Sequence, residues 1–355
     1  MKMTLRAALA TALILIPLVT FAQSESGTSS EKTVPVKVVA PQTIRVTTPK
    51  GSGALPLYVS RDWSKPQPEV TRALIIFHGK LRNADVYYAS GKQAVVAAKA
   101  DKTTIVIAPQ FLQALDADAF HLPPGILRWA KEGWAGGDDA MLPAPISSFA
   151  AIDAILLQLA NRTLFPNLTE VVIAGHSAGG QVVQRYTVAG RGESALTNVG
   201  VHVRYVIANP SSYVYFNADR PLPGGGFGPF DGKKCNAYNK WKYGVNDPPP
   251  YVGNTSFTDL ENTYIKRDVI YLLGDKDIDP NHPALDKSCM GEAEGPYRLE
   301  RGLDYFHYMQ LRHPQGMTQQ AWIIPGVAHD GDAMFNSKCG LAAIFDKGTC
   351  TTQVK

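Results

Sequence analysis

The sequence predicts an α/β fold: a mostly parallel central sheet flanked by helices, with an irregular cap inserted before the penultimate strand. Three observations carry this. Short apolar runs recur along the chain and are continuous, not alternating, as strands covered on both faces require. Amphipathic stretches between them are long enough to serve as the crossovers of parallel strands. One interval, residues 211–266, has neither helical nor strand period and is dense in aromatics, proline and glycine.

The first residues stand apart from that fold. Lys2 and Arg6 precede an apolar segment from Ala7 to Val19; Thr20, Phe21 and Ala22 then offer small residues at the two positions a signal peptidase reads, and polar "QSESGTSSEK" follows. This is the order of a cleavable export signal, residues 1–22, and the apolar run is short for a stable membrane anchor. The chain carries a net charge of +4, two units of which belong to Lys2 and Arg6. What remains is close to neutral, so nothing in the charge calls for nucleic acid or a membrane surface as partner. A secreted or periplasmic location follows from the signal. Residues 23–42 lack apolar periodicity and read as a tether or edge segment before a single domain over 43–355.

Within that domain the strands are "ALIIFHG" (Ala73 to Gly79), "TTIVIAP" (Thr103 to Pro109), "EVVIAG" (Glu170 to Gly175), "VRYVIANP" (Val203 to Pro210), "DVIYLLGD" (Asp268 to Asp275) and "QAWIIPG" (Gln320 to Gly326). After Ser147 and Ser148, either of which can cap a helix, Ile152, Ile155, Leu156 and Leu159 form one apolar face. After Ser177, Val182, Val183, Tyr186 and Ala189 repeat the pattern until Gly190. The segment around Trp129 and Trp134 is either a pocket wall or a connection whose tryptophans fill the core. A structureless loop as long as 211–266 is unusual in a compact domain, which suggests a lid or cap. Its aromatics suggest an apolar or aromatic group in the substrate.

All four cysteines, Cys235, Cys289, Cys339 and Cys350, lie in the last third of the chain. In an oxidising compartment an even number reads as two disulfides, with Cys339–Cys350 and Cys235–Cys289 favoured among three pairings. No C-x-x-C pair supports a zinc site.

Gly175-His176-Ser177-Ala178-Gly179 lies between a strand and a helix. A serine on such a tight turn is held in a strained conformation, with glycines two residues either side, and its hydroxyl is lifted clear of the sheet edge. The N–H of Ala178, at the helix N-terminus, is placed to stabilise an oxyanion. A serine hydroxyl needs a base that is itself oriented by an acid. Candidates for both follow later strands: Asp275, Asp277 and Asp279 after "DVIYLLG", and His329 after "AWIIPG".

On "IIFHGK", "GHSAGG", "LLGDKD" and "GVAHDG", in that order, the chain resembles the secreted serine esterases and lipases of the α/β-hydrolase superfamily. The resemblance spans about Ala73 to Asp346. It implies the α/β-hydrolase fold, with Ser177 as nucleophile and His329 as general base. Asp277, spaced from Gly274 as in the family, is the foremost acid, with Asp275 and Asp279 as alternatives. The second oxyanion donor is the N–H following His78-Gly79, that of Lys80. The Lys80 and Arg82 side chains read as a solvated basic pair, or else as a preference for an anionic substrate. His121, His202, His282, His307 and His313 lack a partner pattern and read as surface or supporting residues.

"DKDIDP" begins like a calcium loop, but Pro280 stands where the required glycine belongs. "GPFDGKK" and "GGGFG" lack the strand-turn-helix setting of nucleotide sites. No cofactor or metal is expected. The function that follows is hydrolysis of a small-molecule or polymer carboxylic ester through an acyl-enzyme. Peptidase or acyltransferase chemistry on the same fold is the alternative, and a non-catalytic binding protein a third. The sequence leaves the oligomeric state open.

Overall fold

The computed structural model describes residues 34–354 apart from Lys234. The expected export signal, and the tether as far as residue 33, lie outside these residues. Eight strands make the main sheet: β1 (Gln42–Thr48), β2 (Gly51–Val59), β3 (Arg72–Phe77), β4 (Thr104–Pro109), β5 (Glu170–His176), β6 (His202–Ala208), β7 (Asp268–Gly274) and β8 (Gln320–Ile324). Their order is β1-β2-β4-β3-β5-β6-β7-β8. β1 and β2 form an antiparallel hairpin, and β2 pairs antiparallel with β4. Every remaining pairing is parallel.

The continuous apolar runs are explained by burial on both faces. Ile75, Ile107, Ile173, Ile207 and Leu273 face one core, shared with helices α2 (Ser148–Leu159), α3 (Ala178–Ala189), α4 (Phe257–Tyr264) and α5 (Arg298–Arg312). Their neighbours Leu74, Val106, Val172, Val206 and Leu272 face the other, shared with α1 (Ala84–Ala97), α6 (Gly331–Asn336) and α7 (Lys338–Phe345). Each such side chain contributes about 1.5–3 kcal/mol through burial. That is why no polar alternation marks these strands. Ser147 caps α2 by accepting the Phe149 N–H.

The β1–β2 hairpin was not among the strands read from the sequence. Its residues are polar or small on the outer face, and its register is set by pairing Thr48 with Gly51 at the turn. Ahead of it, Val36 and Ala40 are buried, and their N–H groups donate to Asp116 and Gln110.

Residues 211–266 contain a short two-stranded ribbon, Asp219–Pro221 with Phe227–Pro229, and then α4. Tyr213 and Tyr215 are buried against Tyr305 and Tyr308 of α5, with ring centroids 4.5 and 4.7 Å apart. Disulfides join Cys235 to Cys289 and Cys339 to Cys350. The first ties the insertion to the segment after β7. Among the described residues no helix is long and apolar enough to cross a membrane.

Candidate active site

At the C-terminal edge of the sheet, three parallel strands deliver three side chains to one point. β5 ends at His176, and Ser177 follows with φ 59° and ψ −123°. This region costs a non-glycine residue of order 1–3 kcal/mol and persists only where the surroundings enforce it. Here the Ser177 N–H donates to Ala208 O of β6 and its C=O accepts the Gln181 N–H. The flanking glycines are required by close approach. A Cβ on Gly175 would lie 2.3 Å from Gly179 O, and one on Gly179 would lie 2.4 Å from Phe77 O.

His329, in the loop after β8, places Nε2 2.9 Å from Ser177 Oγ. Its Nδ1 is 2.7 Å from Asp277 Oδ2, in the loop after β7. A carboxylate accepts, so Nδ1 carries the proton and Nε2 is left to receive the Ser177 hydroxyl hydrogen. Ser177, Asp277 and His329 are all nearly inaccessible to solvent. Burial, reinforced by the positive charge of Arg298 and by His282 and Lys80, holds the His329 pKa well below its ordinary value. The imidazole is therefore neutral at neutral pH.

Of the other two aspartates, Asp275 accepts the Gly326 N–H and Asp279 the N–H of Asn281. Both bonds organise the local loops, and Asp277 is the one that meets His329.

Ala178 is the first residue of α3, where helical N–H groups lack intrahelical partners. Lys80 follows the β3 end at His78-Gly79. The Phe111 N–H donates to His78 Nε2 at 3.0 Å, so Nδ1 carries the proton and donates to Gly79 O at 2.8 Å. Burial pulls the His78 pKa down to about 4, consistent with this single neutral tautomer. The ring thus fixes the backbone just before Lys80.

Several supporting residues carry no sequence motif. Arg298, at the start of α5, donates from Nη1 to Asp277 Oδ1 at 3.1 Å and from Nε to Ser211 Oγ at 2.8 Å. Asn209, after β6, accepts the Gly274 N–H and donates to Ala328 O, joining the acid-bearing loop to the histidine-bearing one. The His282 ring stands edge-on to His329, centroids 5.0 Å apart.

Ser177 opens onto a cleft of about 450 Å³, lined among others by Lys80, Ala178, Gln181, Ser211, Lys242, Tyr243 and Asp286. Two expectations are corrected here. Neither member of the basic pair is solvated: Arg82 is buried and grips Asp116 through Nε and Nη2 at 2.7 and 3.0 Å, and Lys80, also buried, is the one that lines the cleft. The cleft is also not aromatic. Of the insertion's rings Tyr243 alone lines it, since Tyr213 and Tyr215 are spent on packing against α5. Trp129 and Trp134 fill the core, while Glu132 between them lines the cleft. Among the described residues no group of His, Cys, Asp and Glu is arranged to hold a metal ion.

No protein-family model and no curated protein matches the sequence. The structure is similar to poly(aspartic acid) hydrolase-1 from Sphingomonas sp. KT-1, with a TM-score of 0.57 at 22% identity, covering 86% of this chain and 99% of that one. It is also similar to a poly(3-hydroxybutyrate) depolymerase from Bordetella parapertussis, with a TM-score of 0.56 at 21% identity, covering 86% of this chain and 90% of that one. The chain has the α/β-hydrolase fold.

Proposed function

We propose that the protein is an exported serine hydrolase that cleaves a carboxylic ester through an acyl-enzyme. The observation that carries this reading is the continuous hydrogen-bonded line from Ser177 Oγ through His329 to Asp277, at 2.9 and 2.7 Å. Ser177 Oγ attacks the ester carbonyl while His329 Nε2 takes its proton. The N–H groups of Ala178 and Lys80 hold the oxyanion, where removal of one such donor typically lowers turnover by about 10²–10³. His329 then protonates the leaving alcohol as the C–O bond breaks. Water attacks the acyl-enzyme, giving its proton to His329, and the carboxylic acid leaves as the proton returns to Ser177. Asp277 keeps the imidazole in the tautomer that can accept.

Of the two similar structures, one is named for an ester polymer, poly(3-hydroxybutyrate), and the other for an amide-linked one, poly(aspartic acid); both names leave polymeric acyl substrates within range. In this reading residues 1–22 direct export, for which the two disulfides give support. Residues 211–266 act as the cap that supplies Ser211, Lys242 and Tyr243 to the cleft.

The test is labelling with a fluorophosphonate probe together with turnover of short-chain, long-chain, aromatic and polymeric esters beside peptide substrates. Labelling and ester turnover are expected in the wild type and absent from Ser177→Ala. A well-folded wild-type protein that takes no label, or that cleaves peptides alone, would sink the proposal.

A further inference from the structure

The cleft beside Ser177 is polar and is lined by one more cationic than acidic side chain. Lys80, Lys242 and Lys287 line it, against Glu132 and Asp286. Asp286 is already committed, accepting Tyr243 OH at 2.6 Å and the Ser288 N–H at 3.0 Å. Lys80 is buried against the cleft it lines, its ammonium 3.4 Å from Pro283 O.

Lys242 differs from both. It is partly buried, lines the cleft, and forms no ion pair with a carboxylate of the described residues, the nearby Glu132, Asp138 and Asp286 acting on it only at longer range. A second cation lies behind it. Arg185 of α3 is fully buried, and its guanidinium donates to Lys242 O, Ala135 O, Gln181 Oε1 and Ser212 Oγ, every one a neutral acceptor. Burial, with Arg185 close by, lowers the Lys242 pKa from its ordinary value, against the opposing pull of Glu132, Asp286 and Asp138. Cations removed from water are costly unless an anion meets them. Lys242 lines the cleft with Arg185 buried behind it, so Lys242 is the one of the two that a ligand in the cleft can meet.

We propose that Lys242, with Lys80 lining the same cleft, forms an anion subsite, and that the substrate is an ester carrying a carboxylate a few bonds from its scissile carbonyl. This rests on the ester-hydrolase reading above and names its substrate class. The volume suits it: about 450 Å³ has room for a short chain between Ser177 and the subsite.

Two matched ester pairs test the subsite. One sets the mono-para-nitrophenyl ester of glutaric acid against para-nitrophenyl valerate, with the carboxylate on the acyl side. The other sets para-acetoxybenzoate against its neutral methyl ester, with the carboxylate on the alcohol side. In at least one pair the wild type is expected to favour the anionic member by tenfold or more in kcat/KM. That ratio should fall at least tenfold in Lys242→Met, be largely kept in Lys242→Arg, and shrink with added salt. Because the readout is a ratio within each protein, partial loss of folded enzyme does not disturb it. A second readout needs no turnover: calorimetry of glutarate with Ser177→Ala, where saturable binding absent from the Ser177→Ala, Lys242→Met double variant is expected. Ratios unaffected by Lys242→Met in both pairs, or glutarate binding that is absent or indifferent to Lys242, would overturn the subsite. Fluorophosphonate labelling of Ser177 judges the hydrolase reading separately.

Discussion

Arg298 holds Asp277 from the side opposite His329, its Nη1 3.1 Å from Oδ1 while His329 Nδ1 is 2.7 Å from Oδ2. Both carboxylate oxygens are thus occupied, and the acid is fixed in the plane that orients the imidazole. The same guanidinium is a nearby positive charge that disfavours the imidazolium, adding to the effect of burial on the His329 pKa. A base must be neutral to act, so activity is lost as pH falls through the His329 pKa. With that pKa held low, the acid limb of kcat/KM lies below about 6.5, the ordinary histidine value. Arg298→Gln removes the charge, so the His329 pKa rises and the limb moves to higher pH. Activity at neutral pH should drop by roughly 10- to 100-fold, the scale of one lost hydrogen bond to a charged group. An acid limb that stays in place or moves to lower pH would rule out this role for Arg298.

The strand-to-helix turn that carries Ser177 makes a steric prediction. A methyl group at position 179 would meet Phe77 O at 2.4 Å and His78 O at 2.8 Å, both backbone atoms. No rotamer change relieves such a contact, so β3 and the strand-to-helix turn must separate. That displaces Ser177 from His329 and the Lys80 N–H from the oxyanion position together. Gly179→Ala should therefore lose at least 100-fold in kcat, since misplacement by about 1 Å can cost that much. Circular dichroism should still report a folded sheet. A kcat within a few-fold of wild type would show that the turn tolerates a Cβ there.

How much of this was legible before folding follows from where each residue's partners lie in the chain. Ser177, Asp277 and His329 each sit just past a continuous apolar strand, so local pattern locates them and the topology brings the strand ends together. Arg298 gave no such signal, because its partners Asp277 and Ser211 are 21 and 87 residues away and no spacing announces them. Arg82 was misread for the same reason: its counter-ion Asp116 lies 34 residues on, across two elements. The aromatics of 211–266 misled differently. Composition reports that rings are present but not which face they turn to: Tyr213, Tyr215 and Phe227 pack onto α5, Phe216 meets Tyr264 and Trp241 meets Phe257. Asn209 reads as an ordinary strand-end residue until the loops it bridges are in view.

Cys235–Cys289 joins the two walls of the cleft, because Lys242 and Tyr243 follow Cys235 while Asp286, Lys287 and Ser288 precede Cys289. The bridge closes a loop across a sequence separation of 54, for which chain entropy gives on the order of 4 kcal/mol of stabilisation. Replacing both cysteines by serine should lower Tm and raise KM, since the walls lose their tie. Reactivity of Ser177 toward a small fluorophosphonate should change little, because the Ser177–His329–Asp277 line is built on β5, β7 and β8. The pair of readouts is decisive: KM unchanged alongside a lower Tm would make the bridge a matter of stability alone, with no part in shaping the cleft.

Glu294 sets a pH dependence of stability distinct from that of activity. Its carboxyl is fully buried, accepts the Tyr213 N–H at 2.9 Å, and lies near Arg220 and Arg301. Burial outweighs these, and the pKa is pushed up to about 8 from an unfolded value near 4.5. The folded state therefore binds a proton that the unfolded state has released between those limits. Its contribution is fully present below the unfolded pKa, declines as pH rises, and is gone above the folded pKa. Glu294→Gln keeps the shape and an acceptor oxygen for Tyr213 but cannot ionise. Wild type and variant should differ least in stability near pH 4, with the variant gaining steadily to about pH 8 by a few kcal/mol at most. Chemical denaturation at a series of pH values reads this directly. A stability difference that stays constant from pH 4 to pH 9 would mean that Glu294 is ionised throughout, held so by its two arginines.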